Sequence, residues 1–309
     1  MPRYFHHFGL DRDPFLDTAD PHFYLETPMA HAHKRRLLTS IDESRGLTIV
    51  VGETGAGKTS LSALVEHDLL SNDRWIIGKI LDPTFATDVE FLLAIGRVFG
   101  LSLPPRSSAA LKNALKNFFF DTAVLESKTL VLIIDEAQNL NGDGLETLRL
   151  LLNFQIPQKK LLNVLLFGQP ELERAVATRG NLADRVDGWI RLGPLDAAAA
   201  RAIVEYRLTQ AGQTPGSKLF SDEAMEGLIA AAGGYPRRLT TLAHTAMFEA
   251  AERGSQMIFE EHVAAALRAH GLPTPPKAEP VAPAMASGPA QGTNGAHRRS
   301  LFERLFGAR

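Results

Sequence analysis

Cysteine is absent from the 309 residues, which removes disulfides, thiolate nucleophiles and cysteine metal sites together. No run of about 18 apolar residues occurs, so no segment reads as a membrane span. The first residues, with Arg3, His6 and His7 followed by acidic side chains, carry no apolar signal-peptide region. These absences predict a cytoplasmic protein. An excess of one charge is lacking too: the formal net charge is −2 at pH 7, so no global field draws the chain onto nucleic acid, and only a local basic patch stays open. The histidine pairs His6-His7 and His31-Ala32-His33 have no third ligand at metal spacing and read as solvated surface.

What is present is ordinary for a globular protein. Hydrophobic residues at 45% and charged residues at 22% exclude wholesale disorder, and the length suits about two domains of roughly 150 residues each.

The most informative stretch follows the apolar run Leu47-Thr48-Ile49-Val50-Val51. Gly52-Glu53-Thr54-Gly55-Ala56-Gly57-Lys58-Thr59 fits G-x-x-x-x-G-K-[ST], and Ser60 onward reads as a helix. The glycines allow a tight turn that aims backbone N–H groups at phosphate oxygens, with the helix starting at the anion. Gly52, Glu53, Thr54, Gly55, Ala56, Gly57, Lys58, Thr59 and Ser60 are therefore expected to bind the nucleotide. Lys58 would reach the β- and γ-phosphates and Thr59 would give its hydroxyl to Mg²⁺. A plain Gly-rich turn with a surface lysine is the alternative; the agreement of strand, loop and helix argues against it.

A second apolar run, Leu130-Val131-Leu132-Ile133-Ile134, ends in Asp135-Glu136, the Walker B arrangement. At the carboxyl edge of a parallel sheet Asp135 would hold Mg²⁺ through water, and Glu136 would polarise the attacking water. The run at 163–167 leads into Gly168-Gln169-Pro170-Glu171-Leu172, where Gln169 is either a sensor of the γ-phosphate or a turn amide. Arg237 and Arg238 follow Pro236 in the first turn of a helix, where the helix dipole disfavours cations; Arg237 is thus expected to face an anion, the bound phosphates, unless a nearby carboxylate pairs it. Arg185, in Asn181-Leu182-Ala183-Asp184-Arg185-Val186, is a candidate arginine finger toward a neighbour's γ-phosphate. An ion pair of Arg185 with Asp184 or Asp187 is the alternative, and Arg179 is the competing finger.

Strand signals at 48–51, 75–80, 130–134, 163–167 and 190–192 alternate with helical stretches, which predicts an α/β layered domain with a mainly parallel sheet over 46–194. The aromatics Phe118-Phe119-Phe120 in a helical stretch at 109–125 read as core. Residues 1–45 form an extended aromatic segment and a helix near 30–41, expected to pack on that core and help wall the adenine. From 195 to 271 only helices are signalled: one capped by Asp196 and ended by Gly212, one capped by Ser221 and ended by Gly233-Gly234, one opened by Pro236, and a last at 259–270. A Pro/Ala/Gly-rich stretch at 272–299 cannot offset ordering entropy and reads as a linker. At 300–309, Leu301, Phe302, Leu305 and Phe306 share one face of a short helix.

With these motifs placed, the chain resembles the AAA+ ATPases of the ExeA type, the general secretion pathway protein A family, with relatives among MSHA pilus biogenesis ATPases. The resemblance covers residues 4–267. It rests on Tyr4-Phe5, Phe8-Gly9-Leu10, Asp13-Pro14-Phe15, the phosphate loop, Ile134-Asp135-Glu136-Ala137-Gln138-Asn139-Leu140, Leu145-Glu146-Thr147-Leu148-Arg149-Leu150-Leu151, Gly168-Gln169-Pro170-Glu171-Leu172 and Gly233-Gly234-Tyr235-Pro236-Arg237. It implies a P-loop NTPase (AAA+) parallel sheet in the order 5-1-4-3-2 with helices on both faces, then a small all-α lid, ATP with Mg²⁺ as cofactors, and a nucleotide-dependent homo-oligomer. It also puts Arg237 at the sensor-2 position and Arg185 near the finger. Two departures stand out: secretion-branch members continue into a transmembrane helix and a peptidoglycan-binding domain not found in this sequence, and the family often has a histidine at Ala30.

Three functions follow as expectations. The first is an energy-coupling ATPase of an envelope secretion or pilus machine, docked through its C-terminal tail and peripheral at the inner membrane. The second is a DNA-associated ATPase of the transposition target-selection type, and the third a slow nucleotide-gated recruitment switch. The acidic balance and the amphipathic tail favour the first; His297-Arg298-Arg299 and the lid arginines keep the second open.

Overall fold

The computed structural model describes residues 3–16, 20–104, 107–157 and 159–273. The 272–299 linker beyond residue 273 and the amphipathic segment at 300–309 lie outside the described residues. Five strands form one parallel sheet: β1 (Leu47–Gly52), β2 (Trp75–Ile80), β3 (Thr129–Ile134), β4 (Leu162–Gly168) and β5 (Val186–Leu192). Their order is β2-β3-β4-β1-β5, the 5-1-4-3-2 order that the resemblance implied. A two-residue hairpin, Gln155–Ile156 with Lys159–Lys160, stands outside the sheet.

Every residue of β1 and β4 is buried, as a parallel sheet covered on both faces requires, and successive side chains divide between two cores. Leu47, Ile49, Leu130, Leu132, Val164 and Leu166 face helices α3 (Asp88–Val98), α4 (Ser108–Phe120), α5 (Gly142–Leu151), α6 (Pro170–Ala177) and the short α7 (Gly180–Ala183). Val50, Val131, Ile133, Leu165 and Phe167 face α1 (Pro28–Asp42) and α2 (Lys58–Leu70), which contribute Leu37, Ile41, Leu61 and Val65. Phe119 is fully buried and Phe118 packs beside it, but Phe120 is 43% exposed, so the aromatic triplet is only in part a core element. The last strand begins four residues earlier than its apolar signal. Asp187 and Gly188 mask it in the sequence, and Gly188 is where Arg36 and Thr48 come close to the backbone.

The second half is helical: α8 (Ala197–Gln210), α9 (Asp222–Ala232), α10 (Pro236–Glu252) and α11 (Glu260–Ala269). The sequence marks their starts well. Asp196 accepts from the Ala199 N–H at 2.7 Å, Ser221 accepts from the Ala224 N–H at 3.1 Å, and Gly233 ends α9 at φ +61°.

The N-terminal segment departs from its expected place. Phe5, Leu10, Phe15 and Phe23 are buried in the lid cluster, among Val204, Leu208, Met247 and Val263, and only α1 packs on the sheet. Both faces of the sheet are already covered by α1 to α7, whereas the lid helices leave a groove that these side chains fill, each worth about 1.5–3 kcal/mol when fully buried. A polar cluster fixes this strap: the Tyr4 hydroxyl donates to Asp13 Oδ1 at 2.5 Å and lies 3.0 Å from His244 Nδ1 on α10. His6 is exposed as expected, its Nδ1 3.2 Å from the Leu10 carbonyl oxygen, whereas His7 is half-buried with its Nε2 2.9 Å from the Ser255 carbonyl oxygen. Among the described residues no helix is long and apolar enough to cross a membrane.

Candidate phosphate-binding site

The site grows from three neighbouring strand ends, those of β1, β4 and β3. At the end of β1 the backbone turns through Gly55 at φ +81° and Gly57 at φ +94°, conformations that a side chain at either position would strain. Gly57 is also the N-cap of α2, so the unpaired N–H groups of that helix open onto the loop. Lys58, 5% exposed, donates from Nζ to the carbonyl oxygens of Gly52 at 2.8 Å and Glu53 at 3.0 Å. Burial pushes its ammonium below the usual lysine range, while Glu136, Asp135, Glu53 and Glu171 pull in the opposite sense.

At the end of β3, Asp135 is 3% exposed; its backbone N–H donates to the Ile80 carbonyl oxygen, and its Oδ1 accepts from the Glu136 N–H at 3.0 Å. Glu136 then adopts the left-handed conformation, φ 48° and ψ 37°, which costs a non-glycine residue about 1–3 kcal/mol and marks a position held for a purpose. The 3₁₀ turn Ala137–Asn139 follows. Gln138 Nε2 donates to Glu136 Oε2 at 2.5 Å, and its Oε1 accepts from the Gln169 N–H at 3.0 Å. Asn139 Nδ2 donates to Asp82 Oδ1 at 3.1 Å, and with the Thr84 hydroxyl, the larger influence, holds that exposed carboxylate below its ordinary value.

The lid closes the arrangement from the other side. The Arg237 N–H at the start of α10 donates to the Gly55 carbonyl oxygen at 3.3 Å, and a Cβ on Gly55 would come 3.0 Å from Arg237 Cβ. Residues 54–60, Glu136 and Arg237 together line a cleft of about 380 Å³, within the size range of small-ligand sites. Its apolar wall comes from Phe23, Leu25, Met29, Leu195 and Ile203, with Ala30 and His33 beside them. Burial, with Arg36 nearby, pushes the His33 imidazole below its ordinary value.

The cleft thus brings together the phosphate loop, Glu136 and Arg237. Gln169 stands at the end of β4 as the N-cap of α6, joined to Glu136 through Gln138. Arg185 lies elsewhere. The register pairs Leu47 with Val186 and Gly52 with Leu192, so Arg185 precedes the amino end of β5, about 20 Å along the strand from its own phosphate loop. Among the described residues it makes no ion pair with Asp184 or Asp187 and its buried Nε has no hydrogen-bond partner; Asp187 faces Arg45 at 3.9 Å. Arg179, the competing finger, donates to the Ala175 carbonyl oxygen at 2.8 Å and closes the end of α6.

The donors fit the groups the motif implies. A buried ammonium bonded only to loop carbonyl oxygens can turn to phosphate oxygens, and the hard oxygens of Thr59 and Asp135 suit Mg²⁺, which keeps several waters. Among the described residues no cluster of histidines and carboxylates forms a metal cage of protein ligands alone. Sequence reasoning missed Gln138 as a site residue; its signal was present, two residues past the paired carboxylates in a motif used only for the resemblance. It also missed Ile203, which nothing in the sequence of α8 ties to a cleft built around residue 58.

Residues 41–176 match the AAA domain family. Over 253 residues, 81% of this chain, the sequence is 31% identical to general secretion pathway protein A of Aeromonas hydrophila, of which the match covers 45%. It is 34% identical over 112 residues to the ATP-dependent target DNA activator B of Escherichia phage Mu, covering 36% of this chain and 32% of that protein. The chain therefore spans less than half the length of the curated relatives it matches. Among solved structures, the ORC2 protein of Aeropyrum pernix superposes with a TM-score of 0.63 over 84% of this chain and 71% of that one at 18% identity, a likeness of fold.

Proposed function

Because the chain carries an AAA domain on a P-loop fold and resembles general secretion pathway protein A over four fifths of its length, we propose that it binds ATP with Mg²⁺ and hydrolyses it. The observation that carries this reading is the convergence of Lys58, Glu136 and Arg237, from a loop, a strand end and a lid helix, on one cleft.

In this reading Lys58 exchanges its two carbonyl partners for the β- and γ-phosphates, and the loop N–H groups hold the same oxygens. Thr59 and, through water, Asp135 hold Mg²⁺, which offsets phosphate charge when bound. Glu136 orients and polarises the attacking water, and Gln169 answers to the γ-phosphate from the end of β4. Arg237 couples nucleotide to lid position. Arg185 cannot act on its own protomer's phosphates; it serves a neighbour's site in a homo-oligomer.

The test is a pair of variants. Lys58→Ala is expected to abolish tight ATP binding, and Glu136→Gln to retain binding but stall hydrolysis. Wild-type turnover by Glu136→Gln would remove the catalytic assignment.

For the biological role we propose energy coupling or nucleotide-gated assembly in an envelope secretion or pilus system. The protein would work from the cytoplasmic side, peripheral to the inner membrane through a partner that takes the tail. The breadth of the match to general secretion pathway protein A supports this. The shorter match to a target DNA activator supports the second reading, a DNA-associated ATPase. Capture of an envelope partner by the full chain, lost on removal of 272–309, favours the first; tight ATP-dependent DNA binding that weakens steeply with salt favours the second.

A further inference from the structure

We infer that Gln138 is a positioning residue for the Glu136 carboxylate, the link through which the end of β4 sets the orientation of the catalytic base. The inference rests on the hydrolytic reading above and adds to it a residue that no motif assignment covers.

Glu136 is tied at three points. Its N–H donates to Asp135 Oδ1 at 3.0 Å, its carbonyl oxygen accepts from the Asn139 N–H at 2.9 Å, and its carboxylate accepts from Gln138 at 2.5 Å. The first two fix the left-handed backbone and leave the side-chain torsions open. Among the described residues only Gln138 bonds the carboxylate itself. The amide can have one orientation: its Nε2 must face an ionised carboxylate, which only accepts, and its Oε1 must face the Gln169 N–H, which only donates, so turning the amide over breaks both bonds.

The surroundings are shaped for this side chain. A Cβ on Gly168, the last residue of β4, would lie 2.7 Å from Leu172 Cδ2 and 3.1 Å from Gln138 Oε1, so the bare backbone there admits the leucine and the amide together. Gln169 is the residue whose side chain would meet the γ-phosphate, and its own N–H is the group Gln138 holds. A shift at the end of β4 therefore reaches the Glu136 carboxylate through a single amide. General-base efficiency depends on holding that carboxylate on its water, so Gln138 acts on turnover and leaves nucleotide binding to the loop.

The test compares Gln138→Glu with Gln138→Met in the full chain, at protein concentrations where wild-type turnover per subunit is constant. Gln138→Glu keeps an acceptor for the Gln169 N–H and places a like charge against Glu136; Gln138→Met keeps the length and removes both bonds. For both, kcat is expected to fall about ten- to a hundredfold while KM and the affinity for a fluorescent ATP analogue stay within about twofold of wild type. Thermal melting should be nearly unchanged for Gln138→Glu. A Gln138→Glu variant with wild-type kcat, or one whose KM and affinity collapse along with kcat, overturns the positioning role. Glu136→Gln is run alongside: its inactivity with an active Gln138→Glu sinks the inference alone, and its activity sinks the hydrolytic reading.

Discussion

The backbone N–H of Arg237 donates to the carbonyl oxygen of Gly55, so the first turn of a lid helix rests directly on the crown of the phosphate loop. The phosphate loop and the first turn of α10 are thereby joined by a main-chain hydrogen bond.

Gly55→Ala tests that join. The added methyl would sit 3.0 Å from Arg237 Cβ at a backbone φ of +81°, straining the loop and pushing the lid away. ATP affinity is expected to fall at least about tenfold, and adding Arg237→Gly should not restore it, since the guanidinium assigned to the phosphates is lost along with the facing Cβ. Titration with a fluorescent ATP analogue measures both; wild-type affinity in Gly55→Ala would contradict the contact.

Arg185→Ala should leave ATP affinity intact and lower turnover, since its side chain starts from the far end of β5. Mixed with Lys58→Ala subunits, which still present Arg185, it should recover activity. Absence of recovery at every mixing ratio, with a wild-type protein that stays monomeric with ATP, removes the trans role.

Tyr4→Phe should loosen the strap from the lid. Burial, reinforced by the bond to Asp13, pushes the Tyr4 hydroxyl up. Burial would raise Asp13 as well, but the bonds from His244, Tyr4 and the Phe15 N–H outweigh it and hold that carboxylate below its ordinary range. Loss of this charge-assisted bond should cost about 1–2 kcal/mol in denaturant unfolding. A change of only a few tenths would show that the cluster contributes packing alone.

Stability should also fall on acidification through His262. Burial pushes this imidazole below its ordinary value, Glu261 opposing, and its Nδ1 accepts from the Phe259 N–H at 3.0 Å. The folded state thus binds the proton more weakly than the unfolded chain. The stability is fully present above the unfolded value and is lost as pH falls toward the depressed folded one, from about pH 6.5 downward. Gln at this third helical position can make the same cap without titrating. His262→Gln should therefore fold normally at neutral pH and show a shallower fall in melting temperature between about pH 7 and 5; an unchanged slope would assign the acid sensitivity elsewhere.

Much of this was legible in the residues. Strand, glycine loop and lysine at 47–58, and the apolar run ending in Asp135-Glu136, each carry local chemistry that allows few conformations, and the caps at Asp196 and Ser221 mark helix starts in the same local way. What escaped was set by distant partners. Phe5 and Phe15 read as aromatic in any context, and only the uncovered groove of α8 to α11 sends them to the lid rather than the sheet. Gln138 is a polar side chain in a short turn until Gln169, 31 positions later, supplies the N–H that fixes its amide.

The aromatic strap also sets an order of events during synthesis. Tyr4 meets His244 across 240 positions, so the strap, once made, must wait for the sheet domain and most of the lid before its partners exist. At about 5–20 residues per second that wait is roughly ten seconds to a minute. In that interval Phe5, Phe8 and Phe15 are uncovered apolar groups on a tethered segment, the kind of surface chaperones hold and aggregates recruit. The strap can dock only after α8 and α10 have been made, so the cleft gains its Phe23 wall later than the phosphate loop it faces.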